Sequence, residues 1–533
     1  MKFRSKACLA VACGFVAVAA SAGDVRYVSP DATGAEDEDF TEDHPGTLAN
    51  AIAASVDRSS WADGDEIVLT AGSTKGVYDC SGFSQDEVNY SYFICNAKYL
   101  KIRGYSGNRD DVVLLGGGVE KNMRCFRFYT EAKISDLTIK NFGLAKTVLK
   151  TGGGGINAAV EADSYISAGA AVCVAKSNNT SISAGRIENC AFIDCVAGGG
   201  GATYCVTSIS GALFRNCSCT YDSMHGGGGA VYQSACSDCT FDGCFVPVGL
   251  TKSRGGATLN SYNTNCLFTA CSGYAAAVTA TASKFDEAGS ENVHCVFTNC
   301  TAVSGGNGIC CSGKCTDCLF VDNEGETLAY GLTRNCRIDR CPFIRNTVTG
   351  VLVGGGNIYN SLIFSNATTS GSGGSGILGQ GTYYNCTVVS NAIGLSTQFI
   401  VSNGSVGTYN CLFAGNTGGN DDLASKGPIC NCTGDRPISE AKSPSREYEM
   451  DANAARGLRW GVDPSWGIPN VPVGIKARES IKGRGSNLMS DDTTTIWTAS
   501  DIDYAGLPRL RDGSILDVGC FAYNPMGLLL LLR

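Results

Sequence analysis

The stretch Cys190-Ala-Phe192-Ile-Asp-Cys195 decides the fold, because the same six-residue phrase returns ten times along the chain. Its pattern is a small residue or Cys, any residue, Phe, any two residues, and then Cys or Asn. The third position is filled by Phe192, Phe214, Phe241, Phe268, Phe297, Phe320, Phe343, Ile363, Val388 and Phe413. The sixth position is filled by Cys195, Cys217, Cys244, Cys271, Cys300, Asn323, Asn346, Asn366, Asn391 and Asn416. The first position is filled by Cys190, Ala212, Cys239, Cys266, Cys295, Cys318, Cys341, Ser361, Cys386 and Cys411.

The phrase has the pattern of a β-strand. Its first and third positions share one face at a period of two and are apolar or small, whereas the second and fourth positions vary freely. Successive sixth positions lie 20 to 29 residues apart, a period typical of solenoids. A coil of that length holds about three short strands, and stacking coil on coil at about 4.8 Å buries the inward columns. The sequence therefore predicts an all-β, parallel β-helix solenoid.

The change from Cys to Asn at the sixth position keeps the stack but alters its chemistry. Asparagine side chains on neighbouring coils can form a ladder of hydrogen bonds. Asparagine also tolerates the left-handed backbone of a turn. We therefore expect both properties at Asn323 and the asparagines that follow it.

A second phrase follows several copies of the first and predicts a tight turn entering another strand, with Gly supplying positive φ. Its copies are Gly198-Gly-Gly-Gly201-Ala202, Gly226-Gly-Gly-Gly229-Ala230 and Gly255-Gly256-Ala257. Together the two phrases resemble the GGA and FxxN repeats of the polymorphic outer-membrane proteins, a group of right-handed, single-stranded parallel β-helices. FxxN is matched by Phe320-Val-Asp-Asn323, Phe343-Ile-Arg-Asn346 and Phe413-Ala-Gly-Asn416, while earlier coils carry Cys instead. The resemblance spans residues 187 to 416 and implies a fold that adhesins, lyases and hydrolases share.

The N-terminus predicts an exported protein. Lys2, Arg4 and Lys6 precede an apolar run, and the small residues Ala20-Ser-Ala22 follow it, so residues 1–22 are predicted to be a signal peptide. A lipoprotein site at Cys13 is disfavoured, because the apolar run continues well past it. The localisation expected is secreted or cell-surface, and no later segment is long enough to span a membrane.

The remaining chain divides into three predicted parts. Residues 23–98 form an N-terminal cap and first strands, in which Thr47 would be the N-cap of a short helix running to Ser55. This order resembles the helix-plugged cap of pectin-lyase-like β-helices. Residues 99–416 form the β-helix, and residues 417–533 form an irregular C-terminal cap and Leu-rich tail. Within that cap, residues 428–444 are predicted to be irregular turns.

The composition excludes several classes of protein. Only 17% of the 533 residues are charged, 69 are Gly, and the net charge is −9. The chain is therefore neither a basic nucleic-acid binder nor a charged disordered polymer. We expect no nucleic-acid partner and a monomeric protein.

The chain has 29 cysteines, of which Cys8 and Cys13 lie in the predicted signal peptide. Stacked cysteines in neighbouring coils have parallel Cβ vectors, which strain a bridge, so most are predicted to be buried thiols. Disulfide formation is left as an alternative for six residues: Cys310, Cys311, Cys315, Cys318, Cys430 and Cys432. Two CxxC pairs, Cys236/Cys239 and Cys315/Cys318, have zinc-like spacing. Because Cys239 and Cys318 are column residues, no metal is assigned.

No catalytic residue can be assigned from the repeat. A calcium-dependent lyase needs converging carboxylates with a basic residue, and the fourth and fifth positions show no acidic cluster. Arg215 and Asp242, both fourth-position residues, are expected to form an ordinary ion pair between coils. Three other features are weak: the Asp421-Asp422 pair, His44 and His294, and His225 before a Gly turn. No cofactor is predicted, and calcium would be expected only for a lyase.

Two functional hypotheses remain. The first is an adhesin-like or glycan- or protein-binding scaffold, favoured by a long, weakly charged surface rich in Thr, Ser and Asn. The alternative is a polysaccharide lyase or glycoside hydrolase acting on acidic polysaccharides. Unsaturated products or new reducing ends after incubation with a polysaccharide would favour the second hypothesis.

Replacing Phe268 with Asp should unfold the neighbouring coils, because it puts a charge into an apolar column that holds no partner for it. We expect a large fall in the melting temperature followed by circular dichroism. A variant that melts like the parent protein would contradict the predicted column.

Overall fold

The structure is a computed structural model of the chain. It describes residues 23–34, 39–82, 91–144, 168–174, 185–220, 227–250, 255–279, 291–302, 308–311, 313–325, 329–330, 337–369, 376–379, 381–394, 399–401, 407–418, 429–436, 445–463, 465–475, 501–510, 517 and 519–521. The predicted signal peptide, His225, Asp421-Asp422 and the Leu-rich tail lie outside these residues.

Apart from one antiparallel pair near the C-terminus, the described strands form four parallel ladders, in each of which a strand pairs with its equivalent in the next coil. The upstream ladder precedes the repeated phrase and contains Val25–Val28, Glu66–Leu69, Leu100–Gly104, Ala132–Ser135, Arg186–Glu188, Ser208–Ser210, Ala235–Ser237, Tyr262–Thr264, Glu291–Val293, Lys314–Thr316, Arg337–Asp339, Asn357–Tyr359, Thr382–Tyr384, Gly407–Tyr409, Ile429–Gly434 and Ser445–Met450. The Phe ladder carries the phrase and contains Val77–Asp79, Val113–Gly118, Thr138–Phe142, Ala191–Ile193, Leu213–Arg215, Thr240–Asp242, Leu267–Thr269, Val296–Thr298, Leu319–Val321, Phe343–Ile344, Leu362–Phe364, Thr387–Val389 and Leu412–Ala414.

The other two ladders complete each coil. The short ladder contains Val196–Ala197, Ser218–Cys219, Ser272–Gly273, Thr301–Ala302, Glu324–Gly325, Thr347–Val348, Ala367–Thr368, Ala392–Ile393 and Thr417–Gly418. The glycine ladder contains Ser91–Cys95, Arg124–Phe128, Val172–Val174, Thr203–Tyr204, Val231–Tyr232, Thr258–Leu259, Ala275–Thr279, Gly308–Cys311, Ala329–Tyr330, Val353–Gly354, Gly376–Leu378 and Phe399–Val401. Because all four ladders are parallel and advance one coil at a time, the predicted parallel β-helix is confirmed.

Two left-handed residues turn each coil at fixed places. One immediately precedes the first position of the phrase, and the other is the fifth position; both have φ between +47° and +64°. The first set, the upstream corner, is Asn189, Gly211, Asp238, Asn265, His294, Asp317, Arg340, Asn360, Asn385 and Asn410. The second set, the downstream corner, is Asp194, Asn216, Gly243, Ala270, Asn299, Asp322, Arg345, Ser365, Ser390 and Gly415. Each such residue bends the chain between strands while the residues at the first, third and sixth positions still point inward.

The third-position column is one continuous buried stack, as predicted. All ten members are fully buried. From Phe192 to Phe343, successive rings lie parallel with centroids 4.6 to 4.9 Å apart. This separation is set by the spacing of hydrogen-bonded strands, so the backbone ladder dictates the ring stacking.

The sixth-position side chains hold the coils together with one repeated hydrogen bond. The Cys217 thiol donates to the carbonyl of Phe192 at 3.4 Å, the third-position residue of the coil before. Asn346 does the same to Phe320 at 2.9 Å, and its Oδ1 also accepts from the backbone N–H of Asn323. The predicted asparagine ladder is therefore confirmed. The predicted left-handed backbone at these asparagines is wrong, because the left-handed turn is made by the fifth position, and the sixth lies directly before the next strand without a positive φ.

The Gly-Gly-Ala phrases form the predicted turns into the glycine ladder. Gly200, Gly228 and Gly255 have φ of +55°, +66° and +73°. A Cβ built on Gly229 would lie 2.0 Å from the carbonyl oxygen of Gly256 in the next coil. Glycine is thus required both for the turn and for the close approach of adjacent coils.

The N-terminal helix forms where it was predicted, from Leu48 to Ala53, and Thr47 is its N-cap. The Thr47 Oγ1 accepts a hydrogen bond from the backbone N–H of Asn50 at 3.2 Å. Leu48 and Ile52 join the main core. The role of this helix as a plug of the solenoid end stays a prediction. Short 3₁₀ turns lie at Arg109–Asp111, Val119–Lys121 and Ala454–Gly457.

Parallel pairing continues beyond residue 416, the predicted end of the solenoid. Ile429–Gly434 pairs with both Gly407–Tyr409 and Leu412–Ala414, and Ser445–Met450 pairs with it in turn. The prediction of irregular turns over residues 428–444 is therefore wrong for Ile429–Gly434. Its Cys432 extends the first-position column, since the Cys432 sulfur accepts from the backbone N–H of Cys411 at 3.3 Å.

The 25 cysteines whose side chains the structure describes are all buried, as the column model predicts. Burial raises the pKa of the Cys271 thiol well above its ordinary value, because a thiolate there would lose its hydration. Among the described helices, none is long and apolar enough to cross a membrane.

Replacing Asn346 with Ala should destabilise the solenoid, because the buried N–H of Asn323 and carbonyl of Phe320 would each lose a partner. Each unsatisfied buried group costs about 1–3 kcal/mol. Asn346→Cys should cost less, since a thiol can still donate to Phe320 as in earlier coils. Asn346→Val is the matched control that fills similar volume without a donor. The midpoint of guanidinium unfolding should be highest for the parent protein, lower for Asn346→Cys and lowest for Asn346→Val and Asn346→Ala. Equal midpoints for the Cys and Val variants would contradict the hydrogen-bond explanation.

Candidate functional site

The residues considered for function from sequence do not converge in the structure. Arg215 and Asp242 form the predicted ion pair between coils, with Nε and Oδ2 2.9 Å apart and both side chains at least one-third exposed. His44 and His294 are exposed, and His294 is an upstream-corner residue. Among the described residues, no group of three or more His, Cys, Asp or Glu side chains could hold a metal ion.

The outward face of the Phe ladder changes character along the solenoid. In early coils its second and fourth positions mix polar residues, such as Thr240, Asp242, Thr269 and Thr298, with apolar ones, such as Leu213, Leu267 and Val296. In later coils these positions are mostly apolar and carry Leu319, Val321, Ile344, Leu362, Phe364, Val389, Leu412 and Ala414. Such a long apolar strip needs a cover.

That cover is the C-terminal strap, which we define as residues 451–463, 465–475, 501–510, 517 and 519–521. Its Leu458 and Phe521 pack with Leu362, Val389 and Leu412, and its Val471 packs with Leu319, Val321 and Ile344. The strap includes an antiparallel pair, Leu458–Gly461 with Val471–Ile475. These residues therefore lie along the flank of the solenoid.

Asparagines of the upstream corner hold the strap in place. The Asn360 Nδ2 donates to the carbonyl of Ile502 at 3.2 Å, and the Asn385 Nδ2 donates to that of Asp517 at 3.1 Å. The carbonyl of Asn410 accepts from the N–H of Gly519 at 2.7 Å. One column of left-handed residues thus both turns the coils and binds a distant part of the chain.

Charged and phenolic groups inside the strap bond to other strap residues. The fully buried Arg509 donates to the carbonyls of Asp517 and Gly519. The Tyr504 hydroxyl donates to Asp463 Oδ2 at 2.6 Å, and burial together with that carboxylate raises the pKa of Tyr504 well above its ordinary value. These contacts stabilise the strap and leave no reactive group facing solvent among them.

A different cluster lies on the surface beside the strap; we call it the Arg–Asp–Tyr cluster and define it as Asp317, Arg337, Asp339, Arg340 and Tyr359. The Arg340 guanidinium donates twice to the Asp317 carboxylate, at 2.7 and 2.8 Å. It also approaches Asp339 at 3.4 Å, and Arg337 meets Asp339 at 3.1 Å. The two carboxylates therefore flank a single guanidinium.

The cluster ends on an aromatic ring. The Arg337 guanidinium lies 4.6 Å from the centroid of the Tyr359 ring. Tyr359 is the first of three stacked rings, followed by Tyr384 and Tyr409, which the strap residue Leu510 covers. Tyr359 thus remains at the edge of the strap, where Arg337 is about half exposed at 48%.

Local environment shifts two ionisations in the cluster. Hydrogen bonds to Asp317 raise the pKa of Arg340, so this guanidinium stays charged. Burial raises the pKa of Tyr359, so the phenol stays neutral. The cluster therefore presents fixed donors, fixed acceptors and the edge of one ring, whose faces are covered by Arg337 and Tyr384, in a single small area.

The cluster was not predicted from the sequence, because none of its residues occupies the fourth or fifth position of the phrase. Asp317 and Arg340 occupy the upstream corner, one residue before the phrase, and Asp339 and Tyr359 end strands of the upstream ladder. Aligning the residue before each first position would have paired Asp317 with Arg340 in successive coils. Their contact with Asp339 depends on the turn geometry and could not be read from spacing.

No protein-family model matches the sequence, and no curated protein matches it. Similar solved structures include ORF18 of Geobacillus virus E2, with 13% identity and a TM-score of 0.31 over 67% of this chain and 58% of that one. Pectate lyase Pel9A shares 11% identity with a TM-score of 0.27, over 95% and 97% of the two chains. The A-module of mannuronan C-5 epimerase AlgE4 from Azotobacter vinelandii shares 13% identity with a TM-score of 0.27, over 79% and 98%. The chain spans under two-thirds of the viral protein. The β-helix assignment rests on the ladders of this chain, and the likeness of its repeats to polymorphic outer-membrane proteins stays a prediction.

Replacing Asn385 with Ala should loosen the strap by removing the bond to Asp517. We expect hydrogen exchange in residues 501–510 and 517–521 to accelerate about five- to thirtyfold, the effect of one or two kcal/mol. Asn265→Ala is the matched control: its φ of +55° is close to the +52° of Asn385, so the backbone strain is similar. Its side chain bonds to surface Asp238, far from the strap in sequence. Equal exchange in both variants would show that the corner asparagine does not hold the strap.

Proposed function

We propose that this protein is an exported glycan-binding β-helix whose contact surface is the Arg–Asp–Tyr cluster. The observation that carries the proposal is the half-exposed Arg337, held between the Asp339 carboxylate and the Tyr359 ring. Sugar hydroxyls accept hydrogen bonds from a guanidinium and donate them to a carboxylate, while the edge of an aromatic ring contacts their apolar C–H groups. The cluster supplies these contacts, and it is the edge of Tyr359 that it offers, because Arg337 and Tyr384 cover the two faces of that ring.

The charges of the cluster indicate the kind of glycan. Two arginines and two aspartates balance, so the cluster gives no general attraction for polyanions, and the net charge of −9 on the chain opposes one. Neutral or weakly charged polysaccharides with vicinal hydroxyls therefore fit better than strongly acidic ones. Export by a signal peptide at residues 1–22, a secreted or cell-surface location and a monomeric state belong to this proposal. An adhesin-like role at a cell surface would use the same contacts.

A glycoside hydrolase is the second candidate, because Asp317 and Asp339 flank one guanidinium. Hydrolases use two carboxylates about 5–10 Å apart, one as acid and the other as base or nucleophile. A polysaccharide lyase is a weaker alternative, since it would require calcium ligands, and the described residues hold no group of three or more His, Cys, Asp or Glu side chains that could bind a metal ion.

The parent protein should bind at least one member of a panel of neutral and acidic polysaccharides. Arg337→Ala should lower that affinity at least about tenfold, which is the effect of losing one hydrogen bond to a charged group. Arg215→Ala is the matched control, because Arg215 is 49% exposed and, like Arg337, forms an ion pair with an aspartate. The partner of Arg215 lies on the next coil. Affinity electrophoresis or calorimetry would measure the change. Equal affinities for both variants would overturn the assignment of the site.

Product analysis separates binding from catalysis. New reducing ends that disappear in Asp339→Asn, with binding retained, would establish the hydrolase. Ultraviolet absorbance from unsaturated products, dependent on calcium, would establish a lyase. Binding without either product supports the scaffold.

A further inference from the structure

We propose that Cys310 and Cys315 are joined by a disulfide in the oxidised protein. Their sulfurs lie 3.4 Å apart, and both side chains are buried, 5% and 2% exposed. Cys310 lies in the strand Gly308–Cys311 of the glycine ladder, and Cys315 lies in the strand Lys314–Thr316 of the upstream ladder. The inference does not depend on the proposed function.

This pair differs from the stacked cysteines in its geometry. Cysteines of one column sit on successive coils with parallel Cβ vectors, which strain a bridge. Their thiols instead donate to carbonyls of the preceding coil, as Cys266 does to Cys236 and Cys318 does to Asn292. Cys310 and Cys315 instead lie on consecutive strands of one coil, and their sulfurs are 3.4 Å apart. The parallel alignment that strains a bridge between column cysteines therefore does not apply to this pair.

The surroundings of the pair favour two sulfurs in contact. The amide Nδ2 of Asn292 lies 3.8 Å from both sulfur atoms, so one donor spans them. Asn292 is fully buried and is itself fixed, because its Oδ1 accepts from Asn263 at 2.9 Å. A disulfide would keep both sulfurs within reach of this donor.

The chemistry is thiol–disulfide exchange with a small-molecule disulfide such as glutathione disulfide. The thiolate of one cysteine attacks the oxidant, forms a mixed disulfide and releases one glutathione thiol; the other cysteine then displaces the second. The two protein thiols lose two electrons and two protons, and the oxidant becomes two thiols. Because the closed coil buries both cysteines, the exchange takes place before the coil closes during folding.

The bond would fix the corner on which the Arg–Asp–Tyr cluster is built. Cys315 lies two residues before Asp317, whose carboxylate holds Arg340. A link from Cys315 to the opposite wall therefore restrains the strand that positions Asp317.

Peptide mapping tests the bond directly, because Lys314 lies between the two cysteines. The full chain is unfolded and refolded in glutathione buffer containing the disulfide form, then denatured, alkylated without reductant and digested with trypsin. We expect the peptides 285–314 and 315–334 to be recovered as one linked species that separates on reduction. Fragmentation should place the bond between Cys310 and Cys315.

Single substitutions identify the partners. Cys310→Ser should abolish the linked species, whereas Cys311→Ser and Cys318→Ser, which alter the neighbouring cysteines, should keep it. Loss of the link in Cys318→Ser but not Cys310→Ser would overturn the assignment. The parent chain provides a test that needs no variant. Its circular dichroism spectrum first shows that it has refolded. Full alkylation of Cys310 and Cys315 in that refolded chain would then overturn the proposed disulfide.

Discussion

The in-register stacking of coils is the constraint on which the rest of the structure depends. Strands of two to six residues cannot satisfy their own backbone groups or bury one face alone, so each coil takes its hydrogen bonds from the next. Register follows, because a shift by one residue would turn every inward side chain outward. Identical side chains therefore meet in columns, and the parallel Phe rings from Phe192 to Phe343 are the direct result.

Corner geometry makes the same stacking possible in a closed coil. Left-handed residues before the first position and at the fifth position let the chain turn while the first, third and sixth positions all face inward. Sites such as Arg340 and Arg345 carry a strain of about 1–2 kcal/mol for a non-glycine residue. Each offsets that strain by a two-point ion pair with an aspartate of the preceding coil, Asp317 and Asp322 respectively.

The sixth position shows that two chemistries can meet one requirement. The carbonyl of the third-position residue is buried beside it and needs a further donor in either half of the solenoid. A thiol supplies a long, weak bond of 3.4 to 3.6 Å in early coils, and an amide supplies a bond of 2.9 to 3.0 Å in later ones. The amide adds an acceptor for the backbone N–H of the previous coil, so the asparagine half is the more fully hydrogen-bonded. The same later coils bear the apolar outward strip and the strap.

The sequence by itself determined the strand ladders, the buried Phe column, the asparagine ladder and the helix after Thr47, because each depends on a local period or a local cap. It did not determine that Ile429–Gly434 extends the solenoid, since that strand departs from the phrase and is recognised only by its pairing. Nor did it reveal the strap, whose contacts join residues more than a hundred positions apart, as Asn385 and Asp517 do. The Arg–Asp–Tyr cluster was decided only by tertiary structure. Its members come from three coils and two kinds of position, and the left-handed turns at Asp317 and Arg340 are what bring the Arg340 guanidinium between the carboxylates of Asp317 and Asp339.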